Sequence, residues 1–199
     1  MTDFNRTFNP KQTTWPKFPA GLDSWGQSGK GQFRSFLEVG RTWEEIYSLM
    51  SARDPSTRAF FAYINKLWRD RTIFDIMHLD LQTPYNTPIT GSISVNGASQ
   101  TGSTINVTSS LNKKLLAGDI IKFANINLVH DIAEDMASPT ASSISISPPI
   151  FTGGSPANSA AITITGVKFR AVLHEDLRLP DRTGGGHYAG LVLKFRECP

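Results

Sequence analysis

Two short runs of the 199-residue sequence gather side chains able to hold a cation: His130-Asp131 with Glu134 and Asp135 in NLVHDIAED, and His174-Glu175-Asp176 in VLHEDLRLP. Imidazole nitrogens and carboxylate oxygens are common metal ligands, but a site needs them at a spacing that brings them together. The histidines at positions 78, 130, 174 and 187 show neither an H-x-x-x-H nor a C-x-x-C pattern. A solvated strand end with its loop explains both runs, and no metal is assigned to either. GQSGKGQ, from Gly26, resembles a phosphate-cradling loop, but the gap between its glycines is too short and no Ser or Thr follows Lys30. No G-x-S-x-G occurs, no pair of acids is marked out for glycoside cleavage, and the single cysteine, Cys198, reads as a free thiol. The reading is therefore a protein without catalytic residues or cofactor, whose function lies in its surfaces. A cell-wall hydrolase depending on His130 or Asp131 ranks last.

The elements that carry these residues set the frame. A chain of this length buries roughly 70% of its unfolded surface and needs no covalent staple. With 39% hydrophobic and 19% charged residues it has the composition of a soluble protein, and no apolar run approaches the ~20 residues of a membrane span. The N-terminus lacks the basic start and apolar run of a secretory signal, so synthesis in the cytosol without a membrane anchor is expected. A net charge of +3 comes from scattered Lys and Arg, with no run dense enough to follow a phosphate backbone.

Residues 1–32, rich in Pro and Gly with Trp15, Phe18 and Trp25 interspersed, read as an extended arm lying on a surface of its own domain or of a neighbouring subunit. Phe33 to Met50 alternates as strands. Trp43, Tyr47 and Leu49 share a parity that Glu45 interrupts, and a helix over Trp43–Met50 also fits the spacing. DPSTRAFFAYINKLWRD opens with a capping Asp54 and a first-turn Pro55, then sets Phe60, Phe61, Ile64, Leu67 and Trp68 in one helical stripe. A strand, RTIFDIMHLDLQ, follows. Between Tyr85 and Gly166 the sequence holds three lysines and four acidic residues, a formal charge of −1 that leaves +4 for the remainder. There GSISV, STINV, DIIKFA, LVHDI, SISIS and AITIT recur between turn residues, as in a small sandwich or barrel. Longer strands return in VKFRAVL and AGLVLKFRE, with DRTGGGHYAG between them expected as a mobile turn. The expected fold is mainly β with one amphipathic helix. A host domain of residues 1–84 and 167–199 carries an inserted β-domain at 85–166.

This order of elements, from DPSTRAFFAYINKLWRD and RTIFDIMHL through an inserted β-domain to AGLVLKFRE, resembles the distal tail (baseplate hub) proteins of tailed bacteriophages. VNGASQTGSTINV followed by LLAGDIIKFANINLVHDIAED is similar to a small β-barrel module of phage virion proteins, with an A-G-D turn leading into a strand. The resemblance implies a tail-tube-like β-sandwich or barrel, assembled as a ring of usually six copies beneath the tail tube. The inserted domain would hold baseplate or fibre proteins, and DNA would pass through the bore without specific binding. A tail tube protein or another neck or baseplate component is the nearest alternative, and a carbohydrate-binding module for host recognition is the alternative of another class. Arg34, Glu38, Arg41, Glu44 and Glu45, alternating in sign, are the candidates for setting register between subunits.

Overall fold

The computed structural model describes residues 3–17, 22–25, 31–34, 40–48, 50–151, 154–174, 177, 179–188 and 190–198, with the backbone alone at 22–25 and 31–34. Among the described residues the protein is mainly β with one α-helix. In sequence order its elements are β1 (Gln12–Thr13), β2 (Leu22–Trp25), β3 (Gly31–Arg34), β4 (Thr42–Ile46), β5 (Met50–Ser51), α1 (Pro55–Arg69), β6 (Phe74–Met77), β7 (Ile93–Val95), β8 (Gly102–Ser109), β9 (Ile120–Phe123), β10 (Val129–Ile132), β11 (Ser143–Ile150), β12 (Ile162–Thr163), β13 (Lys168–Leu173), β14 (His187–Tyr188) and β15 (Val192–Glu197). They form two compact units, Met1–Ile76 with Arg170–Pro199, and Met77–Phe169. The division falls there rather than at Pro84 and Gly166, because the 3-10 turn Leu79–Leu81 and the following Gln82 belong with the second unit. The Gln82 carbonyl accepts from the Gly166 N–H at 2.6 Å.

In the first unit a five-stranded sheet runs in the order β1-β4-β15-β13-β6 and curls as a half-barrel. Segment 42–46 is a strand and not a helix, since it hydrogen-bonds antiparallel partners on both sides, β1 and β15. Alternation sends Trp43, Tyr47, Leu193, Phe195, Ala171 and Leu173 into the core. Cross-strand partners Trp43 and Phe195 stack with ring centroids 5.4 Å apart. Helix α1 packs against this side: the Asp54 carboxylate accepts from the Ser56 N–H at 2.9 Å, and Phe60, Ile64, Leu67 and Thr57 are buried. The buried stripe is narrower than the apolar spacing suggests. Phe61 borders the buried stripe, edge-on to Tyr188 at 4.8 Å, and Trp68 is half-buried. Each large residue buried in this way adds about 1.5–3 kcal/mol before entropy, enough to hold a fifteen-residue helix on the sheet. Among the described residues no helix is long and apolar enough to cross a membrane. The glycine-rich segment after Arg182 does not form a bare turn: His187–Tyr188 pairs with Met50–Ser51, and the Ala52 N–H donates to the Gly186 carbonyl at 2.9 Å.

The second unit is a six-stranded sheet in the order β12-β9-β10-β11-β8-β7 whose two ends meet. Ser94 bridges Ala161, the Val95 N–H donates to the Ala160 carbonyl at 2.9 Å, and the Ser159 N–H donates back to the Val95 carbonyl at 2.9 Å. Closure removes sheet edges and makes a near-closed barrel. Ile93 and Val95 pair antiparallel with the strand bearing Ile105 and Val107, and all four side chains enter a core shared with Ile121, Phe123, Ile132, Ile144, Ile146 and Ile162. Their Ser, Thr and Asn neighbours take the opposite side. The A-G-D turn has a specific device at its end. Gly118 adopts a φ of +92°, and the buried Asp119 carboxylate accepts from the Leu116 N–H at 2.8 Å and the Tyr85 N–H at 2.7 Å. One carboxylate thereby ties the entry of the module to β9.

Candidate functional site

Glu45 lies on the inward parity of β4, between Trp43 and Tyr47, with no exposure to solvent. A bare carboxylate there would be strongly unfavourable, so the sequence position requires a partner. Arg6 of the N-terminal arm supplies it. The guanidinium Nε lies 3.2 Å from Oε1 and 3.3 Å from Oε2, Nη2 also donates to Oε1, and the Tyr47 hydroxyl donates to Oε2 at 2.8 Å. Burial, above all, pushes the Tyr47 phenol far above its ordinary value of 10.0; the Glu45 charge and the hydrogen bond to it push the same way, against Arg6. The phenol stays protonated and remains a donor.

The rest of the arm is fixed around that pair. Phe4 packs on Phe74, Phe195 and Tyr63 at centroid distances of 5.1, 5.3 and 5.9 Å, and Phe8 meets Phe60 at 5.5 Å. The Phe4 N–H donates to the Asp75 carbonyl on β6 at 2.8 Å, and the Lys11 N–H to the Ile46 carbonyl on β4 at 2.7 Å. The arm thus borders β6 at its start and becomes β1 beside β4. It lies on its own unit through Phe4, Arg6 and Phe8, none of which the sequence reading singled out. Of the aromatics it did single out, Trp15 is 56% exposed, while Phe18 and the Trp25 indole lie outside the described residues.

This geometry revises the set of charged residues expected to set register between subunits. Arg41 and Glu45 are buried inside the protein itself, so neither presents charge on an open surface. The Arg41 N–H donates to Oε2 of the equally buried Glu197 at 3.3 Å. Next to it Gly40 has a φ of +69°, and a Cβ there would stand 2.2 Å from the Glu197 carbonyl oxygen. Glu44 alone of the described members faces outward, 3.5 Å from Lys194 across the β4–β15 pair. An exposed pair of this kind contributes about 0–1 kcal/mol. The Arg34 guanidinium and Glu38 lie outside the described residues.

Beside Glu44 and Lys194 the arm builds a surface cleft. The Thr14 N–H donates to the Glu44 carbonyl at 2.9 Å, and its hydroxyl accepts from the Glu44 N–H at 2.8 Å. The backbone then leaves β4 for two residues and returns where Lys17 and Thr42 exchange hydrogen bonds at 3.1 and 2.9 Å. Pro16 turns in and Trp15 turns out. The resulting cleft, about 470 Å³, is lined by Thr14, Trp15, Lys17, Glu44, His174 and Lys194 among others. An indole wall beside ammonium, imidazole and carboxylate groups suits a ligand with one apolar face and several polar or anionic groups.

The other chemically suggestive residues are dispersed. His130 points into the barrel, edge-on to Phe123 at 5.4 Å, with Nδ1 donating to the Pro148 carbonyl at 2.8 Å. Asp131 is on the opposite side of the same strand. Glu134 is exposed, and Asp135 accepts from the Ala117 N–H and the Lys114 ammonium, both at 3.0 Å. Those contacts, the backbone N–H first, hold the Asp135 carboxyl below the usual range. His174 lines the cleft just described, but Glu175 and Asp176 lie outside the described residues, as do residues 26–30 of the glycine-rich run. His78 Nδ1 accepts from the Asp80 N–H at 3.3 Å and caps the 3-10 turn. The Cys198 thiol is half-buried, and burial is the main cause that raises its pKa. Among the described residues no three His, Cys, Asp or Glu side chains are gathered to hold a metal ion. A scan against protein-family models and a search of curated proteins match nothing to this sequence.

Arg6→Ala leaves the buried Glu45 carboxyl without its cation, and is expected to cost about 3–5 kcal/mol of stability by denaturant unfolding. Replacing both residues by leucine should restore much of that loss. A double variant as unstable as the sum of its singles would contradict the pairing.

Proposed function

We propose that this protein is a structural subunit of a bacteriophage tail, a distal tail protein that assembles as a ring below the tail tube and attaches baseplate or fibre proteins through its inserted barrel. The observation that carries the reading is the element order: a sheet-and-helix unit made from two separated stretches of sequence, interrupted by a near-closed β-barrel. The first unit's sheet stops at half a barrel, and strands of neighbouring copies set edge to edge would continue it around a ring. The charge of +4 outside the insertion against −1 within it adds an asymmetry that can orient assembly. In this reading the protein resides in the virion tail and carries out no catalytic step, and His130 serves the barrel core rather than a hydrolase site. A tail tube, neck or other baseplate subunit of the same build is the nearest variant. DNA would traverse the bore without sequence readout. Native mass spectrometry with negative-stain microscopy of the purified protein tests it: a closed ring, usually of six copies, with a central hole is expected. A protein that stays monomeric at high concentration would overturn it.

One observation favours a second reading, recognition of a host carbohydrate. Such a module needs an exposed aromatic beside polar groups, and Trp15 offers that at the cleft with Lys17, Glu44 and Lys194. The insertion has aromatic residues of its own. There Phe123 is buried in the core, while Tyr85 and Phe151 are 88% and 55% exposed. Titration with cell-surface oligosaccharides should then quench tryptophan fluorescence saturably, and Trp15→Ala should abolish the response. Unchanged quenching in that variant would rule the cleft out.

A further inference from the structure

The turn joining β7 to β8 carries Asn96-Gly97, a pair in which the asparagine side chain is open to attack by the next backbone nitrogen, because glycine has no Cβ to obstruct the approach. In that reaction the deprotonated Gly97 nitrogen adds to Asn96 Cγ and closes a cyclic imide. The bond from Cγ to the amide nitrogen Nδ2 breaks, and ammonia leaves with the proton equivalent lost from Gly97. Water, the sole co-reactant, then opens the imide at either carbonyl. The products are aspartate or an isoaspartate with one extra methylene in the backbone.

The structure holds the attacking nitrogen in place. The Gly97 N–H donates to Asn158 Oδ1 at 2.8 Å, extending by one side-chain rung the seam in which Val95 exchanges hydrogen bonds with Ser159 and Ala160. Gln100 secures the same turn from within: its Nε2 donates to the Asn96 and Gly97 carbonyls at 2.9 and 3.1 Å, and its Oε1 accepts from the Asn106 N–H at 2.6 Å. Asn96 itself is exposed, so water has access to it. A backbone amide so held must lose its hydrogen bond before it can lose its proton, the same requirement that governs hydrogen exchange.

We propose that Asn96 is a latent deamidation site latched by Asn158 across the closing seam of the barrel. It reacts in molecules whose seam has opened. Isoaspartate then lengthens the backbone at the point where β7 meets its closing partner, displaces the Gly97 nitrogen from Asn158, and leaves the seam unable to re-form as before.

The test is peptide mapping by mass spectrometry of the full-length protein aged at mildly alkaline pH. Asn96 should persist in the native protein and convert rapidly in denaturing urea. Folded Asn158→Ala should deamidate at least about fivefold faster than the unaltered protein, the factor that one net hydrogen bond gives in a local opening equilibrium. Asn158→Asp, which keeps the acceptor oxygen, should stay slow. Should Asn158→Ala fail to fold, the unaltered protein suffices: in urea below its unfolding transition, hydrogen exchange at Gly97 and deamidation at Asn96 should rise together. Native conversion at the denatured rate, a folded Asn158→Ala no faster than its parent, or Gly97 exchange rising without deamidation would each overturn the proposal.

Discussion

The Arg6–Glu45 pair is the constraint on which the first unit depends. A carboxylate on the inward face of a central strand is tolerated only when its charge and both its oxygens are satisfied, and here the satisfying cation comes from the N-terminal arm. Because the arm must deliver Arg6 to that point, Phe4 and Phe8 are placed against the aromatic core and Gln12–Thr13 is set beside β4. Desolvation makes such a pair a weak source of net stability but a strong selector of arrangement, since any other path for the arm would strand a buried charge. The arm in turn creates the Trp15 bulge, and with it the cleft beside Glu44 and Lys194.

The second unit solves a different problem, folding a sequence with few charged residues. Its core is mostly Ile and Val on alternate strand positions, joined by Leu111, Leu115, Phe123 and Met136, and its backbone closes on itself so that few polar groups need outside partners. Where the ladder cannot reach, amide and carboxylate side chains finish it: Asp119 at the A-G-D turn, Gln100 within the hairpin turn, and Asn158 at the seam. A module of this kind is suited to presenting a fixed surface to other proteins, as the proposed role in a tail requires.

What the sequence made legible follows from how local each signal was. Asp54, Pro55 and the Phe60–Ile64–Leu67 spacing are contained within one helix, and that helix is found. Ile93 and Val95 alternate on one side of a turn, Ile105 and Val107 on the other, and that hairpin is found. Glu45 was legible only as an interruption of the Trp43–Tyr47 parity. Its meaning lay 39 residues away in Arg6, a separation that no periodicity reveals. The interruption signals that a cation is needed but not which of the 20 Lys and Arg residues supplies it. His130 is read from the sequence as part of a solvated strand end, yet it is buried: strand alternation sends it into the barrel and Asp131 to the opposite face, a split that adjacency in the sequence does not show. Trp15, one of the aromatics that mark the arm as lying on its own domain or on a neighbouring subunit, does not pack on its own unit but forms the exposed wall of a cleft.

The most direct measurement of the account is native-state hydrogen exchange across the arm. If Arg6–Glu45 fixes the arm as part of the core, the amides of Phe4, Lys11, Thr14 and Lys17, each bonded to a strand carbonyl, will be protected to the same order as the Tyr47 amide, which donates to Leu191. Arm amides exchanging at the rate of an unstructured peptide while Tyr47 stays protected would contradict it.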